Sequence, residues 1–111
     1  ITFNNTYVLL KNNLLICLNN STGDVVWSKN IIRNIENKKI RNKFNYVVDF
    51  KIVNGEINVY SKKGYLLIFN PKNGNLKSSN RLSKNGISSE IFFLDDKMLF
   101  VDTKNKLLKF N

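Results

Sequence analysis

Few side chains in this sequence are of the types that carry out chemistry. The 111 residues contain no histidine and a single cysteine, Cys17. Without histidine, the Ser-His-Asp and Cys-His arrangements are excluded within this chain, and one cysteine forms neither a thiolate metal cage nor an intrachain disulfide. Cys17 lies in the apolar segment LLICL, so we expect it to be a small core residue. Carboxylates are then the remaining candidates for acid–base or metal chemistry.

The one adjacent pair of carboxylates is Asp95-Asp96. Two neighbouring carboxylates can act as an acid–base pair or hold a metal ion. This pair stands between two apolar segments, where Asn54-Gly55 stands 41 residues earlier, and Asp is favoured in turns because its side chain bonds to the local backbone. We therefore interpret Asp95-Asp96 as a turn. The sequence predicts no catalytic residue, no metal ligand and no cofactor.

The glycines and aromatic residues offer two further kinds of site. The five glycines are single and fall in predicted turns, so no Gly-rich phosphate loop is present: Gly23, Gly55, Gly64, Gly74 and Gly86. Phe92, Phe93 and Phe100 have ring faces on which nucleotide bases can stack. Because they lie in alternating strand-like segments, we interpret them as core residues instead.

The formal net charge of +10 raises nucleic acid and anionic membrane surfaces as partners. The chain is, however, crowded with Asn, Lys and Ile and lacks Ala and Gln, a skew that an AT-rich genome explains more easily than selection for a basic face. Many of the cations lie in predicted turns, where they keep loops solvated: Lys62, Lys63, Lys72, Lys84 and Lys104. The stretch Lys29–Lys43 is denser and holds a single acid, Glu36. It predicts a basic contact patch at Arg33, Lys38, Lys39, Arg41 and Lys43.

An internal repeat organises the chain around these residues. The segment LLICLNNSTGDVVW, Leu14–Trp27, aligns without a gap with YLLIFNPKNGNLKS, Tyr65–Ser78, 51 residues later. KLLKFN, starting at Lys106, aligns with YLLIFN 41 residues earlier. A spacing of about 40 residues is typical of a four-stranded propeller blade. The ten extra residues between the first two copies coincide with the basic stretch, which is therefore predicted to be an inserted loop.

Each copy is predicted to be a meander of antiparallel strands joined by short turns. The predicted strands are Ile1–Phe3, Thr6–Leu10, Leu14–Leu18 and Asp24–Ser28; Val47–Val53, Glu56–Tyr60, Tyr65–Phe69 and Asn75–Ser79; and Glu90–Leu94, Lys97–Val101 and Lys106–Asn111. The strand Tyr65–Phe69 is apolar on both faces and needs cover on both sides. Asn30–Lys43 is the one segment in which a helix competes, but its isoleucines hold no clean helical stripe and no cap is clear.

The predicted fold is all-β: about two and two-thirds four-stranded antiparallel blades of a propeller. Its parts are a blade at 1–28, a basic inter-blade insertion at 29–45, a blade at 46–80 and an incomplete blade at 88–111. No apolar stretch reaches the length of a membrane span. The last copy ends after its third strand, as in propellers whose N-terminal strand completes the last blade. We expect the C-terminal part of a longer propeller and, in isolation, an open arc with one exposed blade face.

The string LNNSTGDVVW, Leu18–Trp27, resembles the signature of PQQ-like propeller repeats, in which a strand and a small polar turn run into Thr-Gly and, after three intervening residues, Trp. The matching residues are Thr22, Gly23 and Trp27 in the first copy and Asn70 and Gly74 in the second. In that family the Trp docks between adjacent blades, which the resemblance implies for Trp27. The second copy departs from the pattern, with Ser78 at the Trp position.

Within the PQQ-like propellers, nearly the whole chain is similar to the BamB type, the outer-membrane assembly lipoprotein of Gram-negative bacteria. This resemblance implies a non-catalytic periplasmic scaffold that binds the outer-membrane β-barrel assembly machinery through loops, with a lipid anchor outside this chain. Two alternatives stay open. One is a fragment of a PQQ-dependent quinoprotein dehydrogenase; the other is a basic binder of nucleic acid or anionic lipid, although no nucleic acid is expected from the leading hypothesis.

Overall fold

The computed structural model describes residues 4–33, 35, 38–43 and 46–111, and consists mainly of short antiparallel strands. The strands are β1 Asn5–Leu9, β2 Leu14–Asn19, β3 Val25–Asn30, β4 Val47–Val53, β5 Glu56–Ser61, β6 Tyr65–Phe69, β7 Leu76–Arg81, β8 Phe92–Leu94, β9 Lys97–Val101 and β10 Leu107–Phe110. A short helix, α1 Lys38–Lys43, lies between β3 and β4. The predicted strand Ile1–Phe3 falls outside the described residues.

The strands form three sheets, each a meander in chain order. The first sheet is β1-β2-β3, the middle sheet is β4-β5-β6-β7 and the third sheet is β8-β9-β10. Asn54 and Gly55, with φ of 50° and 77°, join β4 to β5, and Asp95 and Asp96, with φ of 50° and 66°, join β8 to β9. Positive φ at both central residues is the geometry of the tight hairpin turn whose twist suits its strands. These two turns begin the same meander in successive sheets.

The three sheets pack face to face, and β6 lies at the centre of the stack. Tyr65, Leu67 and Phe69 of β6 are buried in an apolar cluster with the first sheet. Leu66 is buried on the opposite side, in a cluster with Phe100 of the third sheet, and Ile68 packs against the same cluster. The predicted two-faced burial of this strand is therefore confirmed, and the chain is an all-β, partial β-propeller.

One expectation about individual residues was wrong. Phe100 is fully buried, but Phe92 and Phe93 are 56% and 43% exposed. Their strand, β8, has only three residues and lies at the edge of the third sheet, and no further sheet of described residues packs against that sheet.

The inserted segment contains the short helix α1, in the stretch where the sequence left a helix as an alternative to a loop. Ile31 and Ile35, which lie between β3 and α1, are buried in the core.

Candidate functional site

The residues of the repeat signature form the same turn in the first sheet and in the middle sheet. Asn19 Oδ1 accepts hydrogen bonds from the backbone N–H groups of Ser21 and Thr22, and the backbone N–H of Gly23 donates to Asn19 O at 2.8 Å. In the middle sheet, Asn70 Oδ1 accepts from Lys72 N, and Gly74 N donates to Asn70 O at 2.8 Å. Gly23 and Gly74 both have φ of 76°. The two turns are the same structure, set by an Asn that caps it and a Gly that closes it.

Trp27 lies between the first and middle sheets. Its indole Nε1–H donates to the carbonyl of Pro71 at 2.9 Å, and its ring centroid is 6.1 Å from that of Tyr7. A Cβ on Gly74 would lie 2.7 Å from the Trp27 ring, so only glycine admits the ring there. The signature residues thus form the contact between the first and middle sheets, because Trp27 of the first sheet packs on the turn from Asn70 to Gly74 of the middle sheet. We call such a contact between neighbouring sheets a joint.

The five residues of the predicted basic patch lie along the connection around α1. Arg33, Lys38 and Lys39 are exposed, whereas Arg41 is half-buried, with its guanidinium 3.5 Å from the Ile35 carbonyl. The side chain of Lys43 is outside the described part of the chain. Arg33, Lys38, Lys39 and Arg41 do not line the groove described next, where other cations converge.

An open groove of about 640 Å³ runs between the middle and third sheets at the end where β5 turns into β6. Among the described residues, those that line it with a charge are all basic: Lys62, Lys63, Arg81 and Lys84. The remaining lining residues are Tyr46, Asn85, Gly86 and Thr103. The ion pairs seen in the described residues, Lys51–Asp49 and Lys77–Glu56, involve none of the four groove cations. We name this surface the basic groove.

Two glycines bring the walls of the basic groove together. A Cβ on Gly64 would lie 2.1 Å from the Ser83 carbonyl oxygen, and a Cβ on Gly86 would lie 2.5 Å from the Lys62 carbonyl oxygen. The β5–β6 turn therefore touches the loop after β7 backbone to backbone. The backbone of Lys62 is held from both sides, since its N–H donates to Tyr46 O at 2.8 Å and its carbonyl accepts from Ile87 N at 2.9 Å.

The cations of the basic groove differ in how firmly they are held. The Arg81 guanidinium donates to the Lys84 carbonyl at 3.2 Å and lies 5.5 Å from the centre of the Tyr65 ring, so it is oriented by a hydrogen bond and a cation–π contact. The lysines are compact charges on flexible stems. One oriented guanidinium among mobile ammonium groups suits the binding of carboxylate or phosphate groups.

Two buried groups outside the basic groove have shifted pKa values. Burial raises the pKa of the Cys17 thiol, outweighing a hydrogen bond with Tyr7, so the thiol is less reactive than a free one. Burial likewise raises the pKa of Tyr60. Among the described residues, no three His, Cys, Asp or Glu side chains lie close enough to hold a metal ion, and Asp95 and Asp96 lie in their exposed turn.

The sequence placed Lys62, Lys63 and Lys84 in solvated turns, did not single out Arg81, and gave no prediction that the four cations converge. They come from two segments: the β5–β6 turn, and the end of β7 with the loop that follows it. The repeat held a usable signal, because the 51-residue offset aligns Arg33 with Lys84 and Lys11 with Lys62. Equivalent positions of successive blades lie at the same end of a propeller, so these cations share one rim.

No protein-family model matches this sequence, and no curated protein matches it. Solved structures do match. BamB from Moraxella catarrhalis is 12% identical with a TM-score of 0.67, over 98% of this chain and 30% of that one. The computationally designed Ika4 protein is 10% identical with a TM-score of 0.65, over 99% of this chain and 61% of that one. BBS1N, solved in complex with ARL6DN, is 16% identical with a TM-score of 0.64, over 98% and 34%.

These likenesses define the class of protein by fold. The three described sheets are consecutive blades of a β-propeller, and their resemblance to BamB extends over nearly the whole chain. The chain spans less than a third of the matched BamB chain and about three-fifths of Ika4. In the described part of the chain, no helix has the length and apolar character needed to cross a membrane.

Proposed function

We propose that this chain is part of a non-catalytic β-propeller scaffold that binds an acidic region of a partner protein at its basic groove. The observation that carries the proposal is the convergence of Lys62, Lys63, Arg81 and Lys84 in one groove, with no carboxylate among the described residues that line it. Two structural likenesses support a scaffold: BamB shares the fold, and BBS1N was solved in a protein complex.

The finer form of the proposal is a BamB-like role in the periplasm, where the scaffold binds the outer-membrane β-barrel assembly machinery. Binding at the basic groove is expected to depend on charge, because its lysines are exposed and salt screens such interactions over about 8–10 Å at physiological ionic strength. Arg81 is expected to supply the directional contact, and the lysines to supply attraction over distance.

The test is a pull-down with the purified chain from detergent-solubilised outer membranes. The native chain should recover a component of the β-barrel assembly machinery. Lys62→Glu combined with Lys84→Glu should abolish recovery. The matched control is Lys72→Glu combined with Lys97→Glu, which makes the same charge change at the opposite end of the sheets and should leave recovery intact. Failure of the native chain to recover any assembly component would overturn the BamB-like role.

A second candidate follows from the same four cations: binding of nucleic acid or anionic lipid. Tyr46, 70% exposed at the basic groove, adds a ring on which a base can stack. Affinity for a fluorescent single-stranded oligonucleotide, for duplex, and for anionic vesicles should then fall steeply as salt rises. Negligible binding of all three at low salt would exclude this candidate and leave the protein-binding proposal standing.

A further inference from the structure

Exposed cations are concentrated where the turns of all three sheets meet, at the end of the sheets that carries the basic groove. The repeat aligns the β1–β2, β5–β6 and β9–β10 turns, so they lie at this one end. The loops after β3 and β7 start here too, because β3 ends beside the start of β2, and β7 ends beside the start of β6. We name the exposed cations of these turns and loops the basic rim: Lys11, Arg33, Lys62, Lys63, Arg81, Lys84 and Lys104.

Backbone hydrogen bonds hold the parts of the basic rim against one another. The backbone N–H of Ile31 donates to the carbonyl of Asn13 at 2.9 Å and holds the loop after β3 against the β1–β2 turn. The backbone N–H of Thr103 donates to the carbonyl of Asn85 at 3.2 Å and holds the β9–β10 turn against the loop after β7. The cations therefore project from turns with fixed positions.

The charge of this end differs from that of the opposite end. In the described turns and loops of the basic rim the one carboxylate is Asp102, which is buried and accepts two backbone N–H groups. A compositional excess of lysine would favour neither end, so the difference belongs to the fold. At the opposite end acids and bases nearly balance: Asp24, Glu56, Asp95 and Asp96 against Lys72, Lys77 and Lys97.

The connection that contains α1 also starts and finishes at this end. It leaves β3 there and enters β4 at Tyr46, whose carbonyl accepts the backbone N–H of Lys62 at 2.8 Å. Helix α1 ends three residues before Tyr46, which is at most about 11 Å of extended chain. Lys38 and Lys39 of this helix are exposed. The basic patch predicted from the sequence and the basic groove therefore belong to the same end of the molecule.

We propose that the partner's acidic region is an extended segment that lies along the basic rim, from the third sheet to the first. This segment is the acidic region of the proposed function, on which the inference rests. Packed sheets lie about 10 Å apart, so the basic rim crosses about 20 Å, a distance that about six extended residues span. A charged segment with few apolar residues stays unfolded and can follow such a surface.

The side chains at this end favour an acidic peptide over single-stranded nucleic acid. Proteins that bind single strands stack successive bases on several aromatic rings. Among the described residues of this end, Tyr46 is the one exposed aromatic, and Tyr65, beside Arg81, is only 7% exposed. One exposed ring offers a single stacking site, whereas carboxylates need only the cations.

The experiment measures fluorescence anisotropy of two labelled peptides, one with eight glutamates and one with three, in about 0.1 M salt, where charges act over about 10 Å. Lys11→Glu combined with Arg33→Glu reverses the part of the basic rim on the first sheet. This variant should bind the eight-glutamate peptide about three- to tenfold more weakly than the native chain and bind the three-glutamate peptide equally well. Only the longer peptide reaches from the basic groove to the first sheet.

Two further variants make the same charge change elsewhere. Lys62→Glu combined with Lys84→Glu, in the basic groove, should weaken binding of both peptides. Lys72→Glu combined with Lys97→Glu, at the opposite end, is the matched control and should weaken neither. Circular dichroism should show all three variants folded like the native chain.

The outcomes separate this inference from the proposed function. If only the variant in the basic groove weakens the eight-glutamate peptide, the acidic region binds that groove alone, so the extended contact is wrong and the proposed function stands. If the native chain binds neither peptide, both are wrong. Tighter binding of a labelled strand of eight thymidylates than of the eight-glutamate peptide would assign the basic rim to nucleic acid and would also overturn the inference.

Discussion

The contact between Trp27 and Gly74 shows that two independent constraints, one on the backbone conformation and one on the space for a side chain, can require glycine at a single position. Gly74 closes its turn with φ of 76°, a backbone conformation that residues with a side chain adopt at a cost. It also lies directly under the Trp27 ring, where a Cβ would approach to 2.7 Å. Gly23 has the same φ in the equivalent turn of the first sheet, but there a Cβ would meet nothing within 4 Å.

Substitutions at Gly23 and Gly74 therefore separate the energetic cost of backbone strain from the cost of a steric contact. Gly23→Ala should lower the free energy of unfolding by about 1–2 kcal/mol, which is the cost of a left-handed conformation. Gly74→Ala should cost about 1–3 kcal/mol more, because the Trp27 ring must also move. Urea denaturation of both variants gives the comparison. Equal losses of unfolding free energy in the two variants would show that the Trp27 ring adds no steric cost at Gly74.

Asp102 couples the stability of the third sheet to pH. Its carboxylate is 1% exposed and accepts the backbone N–H groups of Lys106 and Lys104, each at 2.9 Å. The bond from Lys106 is the largest cause that lowers the pKa of Asp102; burial opposes it, and the other bonds and the charge of Lys106 lower it further. Because the folded-state pKa lies below the unfolded value of about 3.9, the carboxylate stabilises the fold above that value and stops doing so as pH falls through the folded pKa.

The Asp102→Asn variant should therefore be less stable than the native chain near neutral pH, with a difference that shrinks as the solution is acidified below about pH 4. Urea midpoints for both proteins across the acid range measure this. A difference that stays constant with pH would mean that the charge of Asp102 contributes nothing to folding.

At the scale of elements, the two tight hairpin turns can be compared by substituting the residues of one turn into the other. The turn Asn54-Gly55 uses the two residues best suited to positive φ, whereas Asp95-Asp96 places a second side chain where Gly55 has none. Replacing Asp95→Asn together with Asp96→Gly should raise the free energy of unfolding by about 0.5–1 kcal/mol. The reciprocal pair, Asn54→Asp with Gly55→Asp, should lower it by a similar amount. Thermal denaturation checks both, and a free energy of unfolding that neither exchange changes would count against the turn assignment.

Most strands of this fold were predictable because the two features that identify them, alternating apolar residues and flanking turn residues, are both local in the sequence. Alternating apolar residues marked β5 and β9, and the turn residues bounded them; Val47–Val53, Tyr65–Phe69 and Lys97–Val101 were predicted with the bounds that the structure shows. Helix α1 was missed because it is six residues long, which leaves too little sequence for a helical stripe. Phe92 and Phe93 were misassigned because their burial depends on a neighbouring sheet rather than on their own alternation.

The basic groove could not be predicted from short stretches of the sequence, for a related reason. Each lysine of the groove is unremarkable in its own turn. The four cations lie together because β7 pairs with β6, which places Arg81 opposite Tyr65, and because the loop after β7 folds back onto the β5–β6 turn. The close backbone approaches at Gly64 and Gly86 that bring the walls together belong to the assembled stack, not to either segment. By contrast, the signature residues Trp27 and Gly74 could be singled out in advance, because they repeat a pattern that is visible in the sequence.

At the scale of the whole molecule, the three sheets differ in how completely they are covered. Both faces of the middle sheet pack against neighbours, whereas the first and third sheets each have one face that no described element covers. In a stack of repeats, stability is approximately the sum of what each unit contributes and what each joint contributes. The middle sheet shares in two joints and each end sheet in one, so local opening should begin at the ends.

Native-state hydrogen exchange should therefore show a gradient along the stack. Amides of β5 and β6 should exchange slowest, and amides of β9 and β10 should exchange faster, although both pairs are hydrogen-bonded hairpins. Mass spectrometry of peptic fragments resolves the strands. Equal protection of β6 and β10 in dilute solution would contradict the gradient, because it would mean that the stack opens as one unit.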